Sequence, residues 1–295
     1  MIPRITVAFA SSLMLFVAAP ALAGPQPVAP AAQSFQLGRL KLIALRDALN
    51  VTPNDGKVIG LGQNPSAIGA VLQAAGAPTD KITLGVDALL VEGGGRVMLF
   101  DTGLGPKVQG VLSQSLALAG VSPDAVTDVF ITHTHGDHVG GLVTADGRLA
   151  FPRAVVRMSA TEWAWMEAQS KNPALVAAIT PQVRTFEPGT EVVQGVSAVA
   201  APGHTPGHVG YEIASGPQHL FDMGDVAHSS IVSLAKPDWA IAYDTDKTEG
   251  EATRRALLTR LAASHEPVFA PHFPFPGVGR IVAAGGGFAW SPGQP

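Results

Sequence analysis

Apolar positions along the chain follow two periods, and the places where the period changes divide it into elements. Residues 84–92 and 96–100 are aliphatic runs on either side of Gly93, Gly94 and Gly95, which predicts a β-hairpin closed by a glycine turn. Residues 37–45 read as a strand before it, and the short runs 129–132, 154–158, 196–200, 209–213, 219–221 and 268–270 predict further strands. Between them the spacing becomes helical in 107–119, in 160–169 and most clearly in 249–264, where Ala252, Ala256, Leu257, Leu261 and Ala262 share a face. No repeat of fixed length is visible. Hairpins followed by alternating strands and helices predict a mixed α and β domain with helices packed outside sheets.

Composition narrows this picture. With 295 residues, 46% hydrophobic and 14% charged, the chain can bury a large core and has no signature of disorder. Residues 1–23 read as a secretory signal: Arg4 gives a positive start, residues 5–19 are almost wholly apolar, and Ala21-Leu22-Ala23 is a small-x-small cleavage site. That apolar run is shorter than the roughly 20 residues of a spanning helix, so no membrane association is expected after cleavage. The reading is then a periplasmic or secreted protein with a Pro- and Ala-rich flexible lead at 24–34 and one domain over 35–295. Loss of the leader moves the net charge from -4 to -5, which argues against nucleic acid as a partner and leaves small-molecule chemistry. The absence of cysteine excludes disulfides, thiolate ligands and a nucleophilic thiol.

Histidine and aspartate concentrate at predicted strand ends. Directly after the strand at 129–132 comes His133-Thr134-His135-Gly136-Asp137-His138, four candidate ligands in six residues. Alternate residues of an extended segment point the same way, so His133 and His135 can face one ion, while a turn at Gly136 swings Asp137 and His138 towards a second. Imidazole nitrogen and carboxylate oxygen are donors that zinc and similar divalent ions accept. Three later loops each offer one more: His204 in Pro202-Gly203-His204-Thr205-Pro206-Gly207-His208, Asp225 in Met223-Gly224-Asp225-Val226, and His272 in Ala270-Pro271-His272-Phe273-Pro274. Loop ends on a rigid scaffold could bring all of them to one edge.

These motifs, with Asp101-Thr102-Gly103 at a strand end, resemble the metallo-β-lactamase superfamily over essentially the whole mature chain. The resemblance implies an α+β fold, a four-layer αβ/βα sandwich with two divalent metal ions at one edge between the sheets. His133, His135 and His204 would hold one ion, Asp137, His138 and His272 the other, and Asp225 would bridge them. Zinc is the metal implied, and Mn, Co or Fe also suit such nitrogen and oxygen donors. The stretches THTHGDHVGGL, FPRAVVR, PGHTPGH and HFPFPGVGRI are similar to methyl parathion hydrolase and to exported lactonase-like members. That similarity implies hydrolysis of small hydrophobic esters or lactones, or of phosphotriesters, by a hydroxide shared between the two ions. Asp137 and Asp225 would be the catalytic carboxylates, and family habit implies a homodimer. The alternatives are a β-lactamase and a non-catalytic metal- or ligand-binding protein on the same fold.

Trp163 and Trp165 on the helix at 160–169, and Phe273 and Phe275 beside His272, are the candidates for an apolar substrate pocket. Because the two tryptophans are two residues apart, one can belong to the core and the other to the pocket. Asp101 is expected to orient a ligand imidazole. His208 is expected to orient a loop, and His228 either reaches the cleft or lies in a solvated loop.

Overall fold

In the computed structural model, residues 24–169 and 171–295 are described. The expected signal at 1–23 lies outside them. The first sheet contains β1 (Gly24–Gln26), β2 (Ala32–Leu37), β3 (Leu40–Pro53), β4 (Lys81–Gly93), β5 (Arg96–Phe100), β6 (Asp128–Phe130), β7 (Val155–Ser159) and β8 (Val183–Phe186). Its order is β1-β3-β4-β5-β6-β7-β8, with β2 also paired to β3. The second sheet contains β9 (Glu191–Val193), β10 (Val196–Ala200), β11 (Val209–Ser215), β12 (Gln218–Asp222), β13 (Val268–Phe269), β14 (Val278–Ala284) and β15 (Gly287–Pro292), in reverse numerical order. The helices are α1 (Pro65–Ala74), α2 (Leu112–Leu118), α3 (Gly136–Val139), α4 (Ala160–Gln169), α5 (Pro173–Ile179), α6 (Val232–Ala235) and α7 (Lys247–Ser264).

Strand alternation builds the layers. Along β3, Leu42 and Ala44 turn into the core between the sheets, whereas Ile43 and Leu45 turn into a second core under α2, α4 and α5. Covered on both faces, such a strand reads as a continuous apolar run. On the far side, α7 packs Leu257, Leu258 and Leu261 against the second sheet through Phe221 and Val268. Helices, sheet, sheet, helices is the four-layer αβ/βα sandwich. Phe100 and Phe130 stack at 4.8 Å between the sheets, and truncation of Phe130 to Ala would cost about 3–5 kcal/mol. Beside them the Tyr211 hydroxyl donates to the Ile131 carbonyl at 2.7 Å, tying the sheets together two residues before His133.

Three sequence expectations change here. The strand expected at 37–45 is divided by a turn at Gly38-Arg39, where Gly38 has φ of 56°, and β2 folds back on β3 with Leu37 opposite Leu40. Residues 24–34 are not a flexible lead along their length: Gly24–Gln26 pairs with Leu49–Val51, and β2 begins at Ala32 opposite Leu45. The proline content is compatible because Pro25 sits on an edge strand, where a missing N–H is tolerated. The helix expected at 107–119 shrinks to α2 because Asp47 captures the chain before it, accepting from Leu104 N at 2.6 Å and Leu112 N at 2.8 Å.

Parallel pairing decides where the loops emerge. β5, β6 and β7 run parallel, as do β12 and β13, so the segments following them leave from common edges. Asp101 follows β5, the 133–138 array follows β6, Asp225 follows β12 and His272 follows β13.

Candidate metal centre

At this edge, His133 Nε2, His135 Nδ1 and His204 Nε2 form a triangle with sides of 3.0, 2.9 and 3.1 Å. Their outward partners fix two tautomers. The Thr132 hydroxyl donates to Asp101 Oδ2 at 2.7 Å, which leaves its oxygen to accept from His133 Nδ1 at 3.1 Å. His204 Nδ1 lies 3.0 Å from Asp244 Oδ1, an acceptor in its ionised form. Both of these protons point away from the triangle, which turns both Nε2 atoms into it; burial keeps His133 unprotonated there, whereas at His204 burial is outweighed by Asp225 and Asp244, which raise it above the ordinary imidazole value. Three ring nitrogens converging at 2.9 to 3.1 Å cannot all be satisfied by one another's protons, an arrangement that a cation would satisfy. Sides of this length suit nitrogens each about 2.0–2.1 Å from one ion.

A second cluster lies beside it. His138 Nδ1 donates to Asp101 Oδ2 at 2.7 Å and His272 Nδ1 donates to the Gly85 carbonyl at 2.6 Å, so each Nε2 again faces inward. These atoms stand 3.9 and 3.7 Å from the Asp137 carboxylate. Asp225 lies between the clusters: one oxygen is 3.2 Å from His138 Nε2 and 3.1 Å from His272 Nε2, and the other is 3.2 Å from His204 Nε2 and 3.6 Å from His133 Nε2. His138 Nε2 and Asp225 Oδ1 are buried with no hydrogen-bond partner among the described residues. Such orphaned donor atoms fit a pair of divalent cations.

The electrostatics are uneven. Burial pushes the Asp225 carboxyl up, but the imidazoles of His138, His272, His133 and His228 outweigh it and hold it well below the usual carboxylate range. Burial pulls His138 and His272 down, yet the carboxylates of Asp225 and Asp137 prevail, with Asp101 adding to His138; His138 stands well above the ordinary imidazole value and His272 at about 9. Burial and neighbouring imidazoles hold His133 well below that value and His135 at about 4.

Local backbone demands account for the residues around the ligands. Asp101 has φ of 57° and accepts Thr132 N–H at 2.9 Å, so one carboxylate organises both the loop entering the array and His138. His208 does not present a free nitrogen to either cluster. Its Nδ1 donates to Ala201 O at 2.9 Å, its Nε2 accepts from Asp225 N–H at 3.0 Å, and a side chain at Gly224 would collide with the ring. It positions Asp225 from behind.

A cleft of about 1180 Å³ opens over the clusters, lined in part by Leu104, Val143, Trp165, Met166, Leu175 and Tyr243. Trp165 meets His135 edge to face at 5.9 Å. The other three pocket candidates lie elsewhere. Trp163 packs against the core under the helices, a division imposed by the helical rotation between neighbouring tryptophans. Phe273 is fully buried against Trp290 in the α7 core, and Phe275 packs towards the inter-sheet core beneath the Arg46 guanidinium. Turning His272 towards the clusters directs the phenylalanines after it into the protein.

Sequence reasoning missed several contributors. His228, left open between cleft and solvent, is buried with Nε2 3.1 Å from Asp225 and its ring stacked on His272. Asp244, which orients His204, has no motif around it. Arg254, within the helix expected at 249–264, is buried, donating to Val226 O at 3.0 Å, Pro237 O at 3.1 Å and Asp244 at 2.6 Å. It joins α7 to the loops beside Asp225 and His204. His228 alone carried a sequence signal, its place three residues after Asp225.

Comparison with known proteins gives this geometry a context. AidC, a dizinc quorum-quenching lactonase solved with the product N-hexanoyl-L-homoserine, is 28% identical, covers 90% of this chain and 98% of its own, and has a TM-score of 0.83. The hydrolase AbOPH of the beta lactamase superfamily is 27% identical over 93% of this chain and 99% of its own, with a TM-score of 0.80. Ribonuclease Z of Methanothermobacter thermautotrophicus is 50% identical over 48 residues, 16% of this chain and only 14% of the length of that protein. The metallo-beta-lactamase superfamily model matches residues 82–272, from β4 to the last residue of the clusters. By that match, the chain belongs to the metallo-beta-lactamase superfamily.

Proposed function

We propose that the protein is a binuclear metallohydrolase acting on small hydrophobic esters, with lactones the foremost class. The observation that carries this reading is the convergence of ring nitrogens from His133, His204, His138 and His272 on the Asp225 carboxylate, at the base of a largely apolar cleft. His133, His135 and His204 would hold one ion, Asp137, His138 and His272 the other, with Asp225 shared. Zinc is the proposed metal, in keeping with the dizinc lactonase that resembles this chain. Two such ions supply Lewis-acid polarisation of a carbonyl or phosphoryl oxygen and a water nucleophile at neutral pH.

The chain's own groups do the rest. Asp137 has a side chain 24% exposed at the cleft. Burial pushes its carboxyl up, but His138 and His272 hold it below the usual range, so it remains an acceptor that orients the attacking water and relays its proton. Burial and the charges of Asp137 and Asp225 push the Tyr243 phenol up, keeping its hydroxyl protonated as a donor for a substrate oxygen. Trp165, Met166 and Leu175 bind the apolar portion of the substrate. Similarity to a lactonase solved with an N-hexanoyl product supports an acyl chain there, and the sequence similarity to methyl parathion hydrolase adds phosphotriesters as a second class. The apolar leader supports an exported protein.

Initial rates on an aryl ester, an acyl-chain lactone, a phosphotriester and a β-lactam test this directly. The lactone or ester should turn over fastest, and KM should fall about fourfold per added methylene while the chain fits the cleft. Retained metal with no turnover of any class would oppose the enzyme reading and favour a binding protein.

A further inference from the structure

We propose that Glu162 is a positioning residue that sets the spacing of the two loops carrying the three-imidazole cluster, and so governs the affinity of that cluster separately from the other. Glu162 lies in the first turn of α4 with no exposed surface. One carboxylate oxygen accepts from Thr134 N and Thr134 Oγ1, both at 2.7 Å. The other accepts from Thr205 Oγ1 at 2.7 Å and Gly207 N at 3.2 Å. Thr134 stands between His133 and His135, and Thr205 directly follows His204. A single carboxylate, one oxygen to each loop, therefore bridges the two segments whose imidazoles must meet.

The docking around it is close. Ser159 Oγ donates to Gly207 O at 2.7 Å and accepts Glu162 N–H at 3.1 Å. A Cβ on Gly207 would collide with the Glu162 backbone, so only glycine lets the His204 loop come this near. The second cluster is braced by other groups, Asp101 behind His138 and Gly85 O behind His272. Disturbing Glu162 should alter the triangle of His133, His135 and His204 and leave Asp137, His138 and His272 in place. An amide at 162 supplies one acceptor oxygen in place of two and turns an NH₂ towards donors of one loop, weakening the bridge without emptying the space.

The role rests on the reading that both clusters bind metal, and affinity rather than turnover tests it. Zinc titration against a competing chelator is made on Glu162→Gln in two backgrounds of the full chain: His272→Ala, which leaves the three-imidazole cluster, and His135→Ala, which leaves the mixed one. The expected result is a weakening of about 10–100-fold in the first background and little change in the second. In the Co²⁺-loaded His272→Ala background, the visible spectrum should also shift on Glu162→Gln. Thr205→Val removes one donor and keeps the carboxylate, and should give a smaller loss on the same side, serving as the test if Glu162→Gln does not fold. Equal weakening in both backgrounds, or none in either, would overturn the role of Glu162. A wild-type chain that takes up no metal would instead overturn the metal-centre reading on which it rests.

Discussion

His133, His135 and His204 meet nitrogen to nitrogen at 2.9 to 3.1 Å, whereas His138 and His272 stand 3.9 and 3.7 Å from the Asp137 carboxylate. In the first group, burial keeps His133 and His135 unprotonated while Asp225 and Asp244 raise His204; in the second, Asp225 and Asp137 keep protons on both His138 and His272. The two half-sites thus prepare for a dication differently. The first presents two imidazoles without an added proton and one, His204, raised by its carboxylate neighbours; the second presents carboxylates compensated by protons on both of its imidazoles, which an incoming ion must displace. Asp225 belongs to both, so the comparison predicts three grades of damage: at the shared group, behind one half-site, and at the cleft wall.

The largest effect is expected at the shared group. Asp225→Asn removes the charge between the clusters and should lower kcat/KM on the order of 10³-fold, the scale of losing a group aimed at developing charge. Metal analysis of the same variant should show both half-sites weakened; loss at one alone would break the shared role. Next come the orienting carboxylates, Asp101 behind His138 and Asp244 behind His204. Asp244→Asn should weaken mainly the imidazole cluster, by about 10–100-fold in chelator competition, whereas Asp101→Asn should weaken the mixed cluster by that factor and, by loosening Thr132 behind His133, the imidazole cluster to a smaller extent. A smaller effect is expected at the wall. Trp165→Ala should raise KM for the longest acyl substrate about tenfold with kcat little changed, whereas Trp163→Ala should lower thermal stability, by about 2 kcal/mol, without that KM change.

The smallest signal is a proton count. His272 is raised from its ordinary value near 6.5 to about 9, so in the metal-free protein its bound proton contributes stability fully present below 6.5 and lost as pH rises through about 9. Metal-free protein should therefore lose melting temperature between those limits, and His272→Ala should flatten the loss. At pH 7.5 the protons of His138 and His272 must leave when the mixed cluster loads, against the one favoured on His204 in the imidazole cluster. Calorimetry in buffers of differing ionisation enthalpy should record about one proton more for the mixed cluster of the His135→Ala chain than for the imidazole cluster of the His272→Ala chain. Equal counts would contradict the electrostatic difference.

The features legible in the sequence were those carried by local pattern. Strand ends and the H-x-H-x-D-H array depend on neighbours in sequence, and the structure brings the seven named side chains together. What escaped depends on contacts across the chain. Glu162 reaches residues 28 and 43 positions away, and Asp244 is 40 from His204. Arg254 is read correctly as helical, but its burial comes from loops folding over α7. Phe273 and Phe275 show the reverse error, since proximity to His272 in sequence does not decide which way a side chain turns. Residues 37–45 look like one strand because Gly38-Arg39 separates two apolar runs too briefly to interrupt the pattern.

The decisive measurement is the metal content of the purified protein, taken alongside hydrolysis before and after chelation. About two ions per chain are expected, with loss of turnover on their removal and recovery on adding Zn²⁺. Fewer than about one ion per chain, or hydrolysis indifferent to confirmed metal removal, would contradict the proposed binuclear centre.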